Sequence, residues 1–191
     1  MMKRKRVEWI VILIMATAAA NADGLLESEL IFEPTKRFPS SHCSDIEVLP
    51  SGDLFVVWYA GSVEKATDVA VVCARRHIGS QEWEPGIVID TPEKSDGNPV
   101  LAQPETGLLE LYYQVMHGSP KGVTRVGTGW TTCDIRRIVS RDEGRTWSEP
   151  EMIRPEWGYI TKGALIRLQD DTWLLPLSDE RNFYSLAALS T

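Results

Sequence analysis

His42 stands in Ser40-Ser41-His42, ten residues before Gly52. An imidazole at the mouth of a strand can act as a general base or acid near neutral pH, and it grips a carboxylate only when protonated. Glu64 and Asp68 lie in the polar loop from Gly61 to Asp68. Either carboxylate can carry a proton in a hydrolytic reaction. Glu64 is the freer of the two, because Asp68 is also placed to start a strand. Three cations, Arg37, Arg76 and Lys162, can meet an anionic ligand, an arginine through its two-pronged fork. For Arg76, beside Arg75 at a strand end, a plain surface arginine is the competing reading. Asn98 precedes Pro99, which holds it extended and frees its amide for a ligand hydroxyl. His117 sits in the long Gly-rich loop from Met116 to Gly129. The three histidines and three cysteines show no metal-ligand spacing, so no metal or other cofactor is expected.

The elements that must position these groups read as strands. Leu54 to Tyr59, Val69 to Ala74, Leu108 to Tyr113 and Trp173 to Leu177 are short apolar runs bounded by Gly, Pro, Asp or Ser. No segment after residue 22 sustains a helical period. The runs also repeat as a unit. A polar turn leads into an apolar strand at Pro50-Ser51-Gly52-Asp53-Leu54, at Pro104-Glu105-Thr106-Gly107-Leu108 and at Gln169-Asp170-Asp171-Thr172-Trp173. The first two copies end in a tryptophan, a nearby proline and a further apolar strand, from Trp83 and from Trp147. The repeat of roughly 55 to 65 residues suits a four-stranded propeller blade. The fold class expected is therefore all-β, a β-propeller, with residues 54–59 taken as the inner strand of the first blade. The loop 61–68 then opens onto the ligand face, and Lys162 opens the third inner strand where His42 opens the first.

Ser140-Arg141-Asp142-Glu143-Gly144-Arg145-Thr146-Trp147 fits Ser-x-Asp-x-Gly-x-Thr-Trp in full. Its chemistry is structural. The aspartate can accept backbone N–H groups of the turn, the glycine permits positive φ, and the tryptophan plugs the hairpin. Gly79-Ser80-Gln81-Glu82-Trp83 looks like a degraded copy. With Ser40-Ser41-His42, Trp58-Tyr59-Ala60-Gly61, Asp68-Val69-Ala70-Val71 and Asn98-Pro99-Val100-Leu101, this Asp-box makes the chain from about Pro39 onward resemble the sialidase-like (predicted neuraminidase) BNR-repeat propellers. The resemblance implies a six-bladed propeller when complete, and an exo-sialidase-type glycoside hydrolase that releases a terminal acidic sugar such as sialic acid. It implies an arginine cluster on the sugar carboxylate, an acidic acid/base residue in the loop holding Glu64 and Asp68, and a tyrosine–glutamate nucleophile from later blades. The family's first arginine is replaced here by His42, with Arg37 five residues upstream. That departure keeps two alternatives open: a propeller lyase or hydrolase for uronate-bearing glycans with His42 moving the proton, and a non-catalytic glycan-binding propeller.

The net charge of -7 argues against a sequence-independent nucleic-acid binder. The expected partner is a glycan carrying an acidic sugar. Lys3 to Arg6, the apolar run Ile10 to Ala20 and the small-x-small site Ala20-Asn21-Ala22 read as a signal peptide over 1–22. The run is too short for a stable span. Residues 23–191 are then an exported propeller segment, secreted or periplasmic. Three cysteines are an odd number, and no disulfide is expected. Leu186 to Thr191 resembles the strand entering a further Asp-box, with Ser190 as its first residue. About two and a half blades are therefore expected, in a sequence truncated before the ring closes.

Overall fold

A computed structural model describes residues 28–105, 107–118 and 129–189. The signal segment 1–22 and Ser190 lie outside the described residues. The only helical element among the described residues is a 3-10 turn, Gly129–Thr132. The rest is antiparallel sheet. The first sheet is β1 (Ser40–Val48), β2 (Leu54–Gly61), β3 (Ala70–Arg76) and β4 (Glu84–Ile89), hydrogen-bonded in that order. The second is β5 (Ser95–Glu105), β6 (Leu108–Met116), β7 (Cys133–Ser140) and β8 (Glu151–Arg154). In the third, β9 (Tyr159–Thr161) and β10 (Ile166–Arg167) both pair with β11 (Trp173–Asp179), which pairs with β12 (Tyr184–Leu189). Two four-stranded blades are followed by a third whose first strand is split.

β2 and β3 are apolar on both faces because both are covered. Phe55, Val57 and Val71 pack against Leu101, Leu111, Tyr113 and Ile138 of the second sheet. The alternate residues Val56, Trp58, Ala70 and Val72 lie under Phe38, Ile31 and Phe32. Val100, Ile135, Leu175 and Leu177 join the second blade to the third. The blades meet through their first strands, β1 beside β5 and β5 beside β9. The axial strand of the first blade is therefore β1, one strand earlier than residues 54–59, which form the second strand. A strand covered on both faces is richest in apolar residues, and that richness marks β2 rather than the axis.

The Asp-box closes the β7–β8 turn. Asp142 accepts from Ser140 Oγ (2.7 Å), Thr146 N (2.8 Å) and Thr146 Oγ (2.6 Å). These bonds, led by the Thr146 hydroxyl and amide, hold its carboxyl at about 2. Gly144 sits at φ 83 with its Cα against the Phe55 ring, where a Cβ would lie 3.0 Å from the ring edge. Trp147 packs on the same ring, centroids 6.3 Å apart. The degraded copy in the first blade is completed from elsewhere. Asp53, in the β1–β2 turn, accepts from Ile78 N (3.0 Å), Arg75 Nη1 (2.9 Å) and His77 Nδ1 (2.8 Å). Burial would raise its carboxyl, but the Ile78 amide, the Arg75 guanidinium and His77 outweigh that and hold it at about 2. Arg75 also donates to the Glu143 carbonyl, tying the first blade to the Asp-box of the second.

Candidate active site

Each axial strand is interrupted at one level. In β1, His42 pairs with Tyr59 and Asp45 with Val57, so Cys43 and Ser44 bulge opposite Trp58 alone. In β5, Gly97 pairs with Gln114 and Val100 with Tyr112, so Asn98 and Pro99 bulge opposite Tyr113. In the third blade, Thr161 pairs with Leu177 and Ile166 with Leu174, leaving residues 162–165 out of register. Cys43 and Asn98 take positive φ, 52 and 42, so Asn98 is left-handed at its bulge and not extended as its place before Pro99 predicts. A bulge bends its strand and re-aims a side chain, and it is common beside active sites. By register, Lys162 is equivalent to Cys43 and Asn98, and the position equivalent to His42 is Thr161. This places Lys162 one residue away from the analogy drawn in sequence.

The three bulges converge on an axial cavity of about 210 Å³, lined by Cys43–Asp45, Asn98–Val100 and Thr161–Ala164. Its walls are tied across blades. Asp45 accepts from Leu101 N (2.9 Å), Asn98 Nδ2 donates to the Thr161 carbonyl (3.3 Å), and Thr161 Oγ donates to the Asn98 carbonyl (2.5 Å). Among the described residues Lys162 is the only cation of the lining, and no arginine lines it. Its ammonium lies 3.8 Å from Glu180. His42 borders the other side of the same bulge, on a groove of about 280 Å³ shared with Glu29–Phe32 and Trp58. Cys43 and Ser44 line both spaces. The exposed imidazole stacks on Tyr59 at 5.4 Å, and Ser40 Oγ lies 3.0 Å from its Nε2. Burial raises the Tyr59 phenol above its ordinary value, and Cys43 and Glu64 push it further.

The β2–β3 loop stands beside this group. Glu64 is exposed and accepts from Trp130 Nε1 (3.2 Å). Trp130 lies edge-on to Tyr59 and covers Gly97, where any Cβ would meet the indole at 3.0 Å. Asp68 is taken up within the loop, accepting from Ser62 N (3.2 Å) and Ser62 Oγ (2.9 Å). His117 is apart from the cavity: its Nε2 lies 2.6 Å from buried Asp134, and its ring lies flat on Trp157. Arg37 pairs with Asp90 at 2.6 Å over the Phe38 ring. Arg76 lies at the Asp-box end of its sheet, paired with Glu29 and stacked over Trp83. The structure thus brings Asn98 and Lys162 into the axial cavity, puts His42 on the neighbouring groove across the Cys43–Ser44 bulge, and ties Glu64 to this region only through Trp130, which packs on Tyr59 and Gly97. It leaves Arg37, Arg76 and His117 elsewhere, and fixes Asp68 in a turn. Among the described residues no His, Cys, Asp and Glu cluster is arranged to hold a metal ion. The cysteines are free: Cys43 is exposed, and burial pushes the Cys73 thiol to about 11.

One buried carboxylate of β5 is under-satisfied. Asp96 is fully buried and accepts from Thr91 N (2.8 Å), while its other oxygen has no partner among the described residues. Burial raises its carboxyl from 3.8 to about 6. A raised acid costs nothing below pH 3.8, where folded and unfolded chains are both protonated. The cost grows as the unfolded chain ionises and is complete above about 6, reaching about 3 kcal/mol at about 1.4 kcal/mol per pH unit. Asp96→Asn removes the charge but keeps a polar group in the same hole. It is expected to gain about 1–2 kcal/mol at pH 8 and nothing at pH 3.5. Denaturant unfolding at the two pH values checks both.

Residues 52–191 match the family described as BNR repeat-like domain. No protein of curated function matches the chain in sequence. Among solved structures, it is similar to a protein of unknown function from Dyadobacter fermentans at 14% identity and a TM-score of 0.59, covering 81% of this chain and 51% of that one. It is similar to the NanB sialidase from Streptococcus pneumoniae at 10% identity and a TM-score of 0.60, covering 85% and 46%. It is also similar to the alpha-L-arabinanase of Penicillium chrysogenum at 13% identity and a TM-score of 0.51, covering 78% and 46%. The chain spans about half the length of each of these structures. At such identities the likeness is one of fold, that of the propeller sialidases and glycosidases.

Proposed function

This chain belongs to the BNR repeat-like domain family, and we propose that it carries the first blades of an exo-acting glycoside hydrolase that releases a terminal acidic sugar, sialic acid foremost. The observation that supports this reading is the convergence of three axial bulges on one small cavity whose only cation among the described residues is Lys162. In this reading Lys162 meets the sugar carboxylate as a point charge. Asn98 uses the amide oxygen left over from its bond to Thr161. Glu64, on the adjoining loop, delivers the proton to the leaving oxygen, and Asp68 holds that loop closed through Ser62. Arg37 and Arg76 take no part, because neither lines the cavity. The signal-like segment extends the proposal to an exported protein.

The reading is tested at Lys162. Lys162→Met is expected to raise KM for an acidic glycoside about tenfold with kcat nearly unchanged, since a charge-assisted contact contributes about 1.5 kcal/mol or more. A substrate whose carboxylate is esterified should show no difference between the two proteins. An equal loss on both substrates would separate Lys162 from the carboxylate.

A second reading rests on one observation. His42 stacks on Tyr59, whose hydroxyl neighbours Cys43 and Glu64. An imidazole and a phenol side by side can take a proton from a uronate ring and pass one to the leaving oxygen, which is lyase chemistry.

A further inference from the structure

A second cleft, of about 260 Å³, opens on the same end of the sheets as Glu64 but shares no lining residue with the axial cavity. Lys65 and Thr67 of the β2–β3 loop form one wall. Glu93 and Ser95, at the entry to β5, form another, and His117 closes the third. Its size suits a single sugar ring rather than a chain.

Among the described residues, Lys65 and the Ser95 hydroxyl that face it are unspent. Lys65 makes no ion pair among the described residues and rests over the Trp130 ring, 5.5 Å from its centroid. Ser95 is buried and its hydroxyl has no hydrogen-bond partner among the described residues. A buried hydroxyl without a partner costs about 1–3 kcal/mol, which a ligand can recover. His117 has one ring nitrogen committed to Asp134, and Asp134 is itself held by Arg136 Nε (3.0 Å) and Nη2 (3.3 Å). In the neutral ring that commitment makes Nε2 the donor and leaves Nδ1 as an acceptor. Trp157 lies flat on the ring at 5.1 Å, so the acceptor is fixed in orientation. Lys65 and Glu93 both hold positive φ, 70 and 57, a conformation that costs a side-chain-bearing residue about 1 kcal/mol or more.

We propose that this cleft is a second ligand site, for a monosaccharide-sized sugar acid: Lys65 and the Ser95 hydroxyl donate to the carboxylate, and Glu93 and His117 Nδ1 accept from ring hydroxyls. A bare anion fits less well, because the Glu93 carboxylate on the rim would repel it without a hydroxyl to bind.

Trp130 and Trp157 flank the cleft, so their fluorescence reports its occupancy. The protein is titrated with methyl glucuronide, methyl glucoside and acetate. The glucuronide is expected to bind at least tenfold more tightly than either of the others. In the Lys162→Met background, where the axial cavity has lost its cation, the preference should persist, adding Lys65→Met should abolish it, and adding Ser95→Ala should weaken glucuronide binding about threefold to tenfold. Lys65 is on the surface of a loop, and an unchanged circular-dichroism spectrum verifies that its variant is folded. Preference retained when Lys65→Met and Lys162→Met are combined, or no preference in the wild type, overturns the proposal. Preference lost in Lys162→Met instead also overturns it, by moving the acid to the axial cavity, and leaves the proposed glycosidase reading standing. Acetate binding as tightly as the glucuronide removes the sugar from the assignment.

Discussion

Glu64→Gln is expected to lower kcat at least about a hundredfold on a glycoside with an alkyl leaving group, and by less than about fivefold on one with an acidic phenol. General acid catalysis supplies about 10²–10⁴ in rate, and it supplies most when the departing oxygen is basic. A leaving group that departs as a stable phenolate needs no proton. Glu64 is exposed on the β2–β3 loop, and its hydrogen-bond partner among the described residues is the indole N–H of Trp130. Gln retains an oxygen to accept that hydrogen bond, so the variant tests the proton rather than the loop. Asp68→Asn should behave differently. It weakens the two bonds from Ser62 that close the loop, and so lowers both substrates alike. His42→Ala divides the two catalytic readings. If the imidazole moves a proton in a lyase step, turnover falls at least about a hundredfold. In the glycosidase reading it is a neighbour of the site, and the loss stays within about tenfold. Steady-state rates on the two leaving groups, with each variant, give all of these outcomes.

Asp142→Ala is expected to destabilise the protein by about 2–3 kcal/mol while leaving turnover per folded molecule unchanged. Three donors converge on this carboxylate within one turn, and bonds to a charged acceptor are each stronger than neutral ones. Their loss frees Gly144 and Trp147 from the Phe55 ring, so the effect reaches the core between the first two blades. Because the folded carboxyl is held at about 2, below its ordinary 3.8, this stabilisation is present above pH 3.8 and is lost as pH falls towards 2. The variant should therefore be less sensitive to acid than the wild type over that interval. Urea unfolding at pH 7 and pH 2.5 measures both, and a selective fall in turnover would contradict a purely structural role.

Those two sites differ in how openly the sequence displays them. The Asp-box is legible because its chemistry is local: eight consecutive residues, Ser140 to Trp147, contain the acceptor, the donors, the positive-φ glycine and the plug. The blade repeat is legible for the same reason, each unit being a polar turn followed by an apolar strand. The axial cavity is assembled from three bulges about 55 to 65 residues apart, the spacing of one blade, and no single stretch announces it. Its traces are small polar interruptions of strands, Cys43-Ser44, Asn98-Pro99 and Lys162-Gly163. Their alignment emerges only when the pairings of β1, β5 and β9 are superposed. Asp53 was invisible for a related reason. It belongs to the β1–β2 turn in sequence but completes the β3–β4 turn in space, where the degraded box has no aspartate. The apolar richness of residues 54–59 measures coverage on both faces and not distance from the axis, so it does not mark them as the inner strand. Arg37 and Arg76 could be judged as cations in sequence, but not as cations already paired with Asp90 and Glu29.

The most direct test of the central claim is hydrolysis of a fluorogenic sialoside by the protein, with a uronate-bearing polysaccharide assayed in parallel for new unsaturated ends. The account predicts release of the fluorophore, sensitive to Glu64 and Lys162, and no ultraviolet absorbance from the polysaccharide. Silence on the sialoside with new absorbance from the polysaccharide would contradict it and make His42 the catalytic base of a lyase.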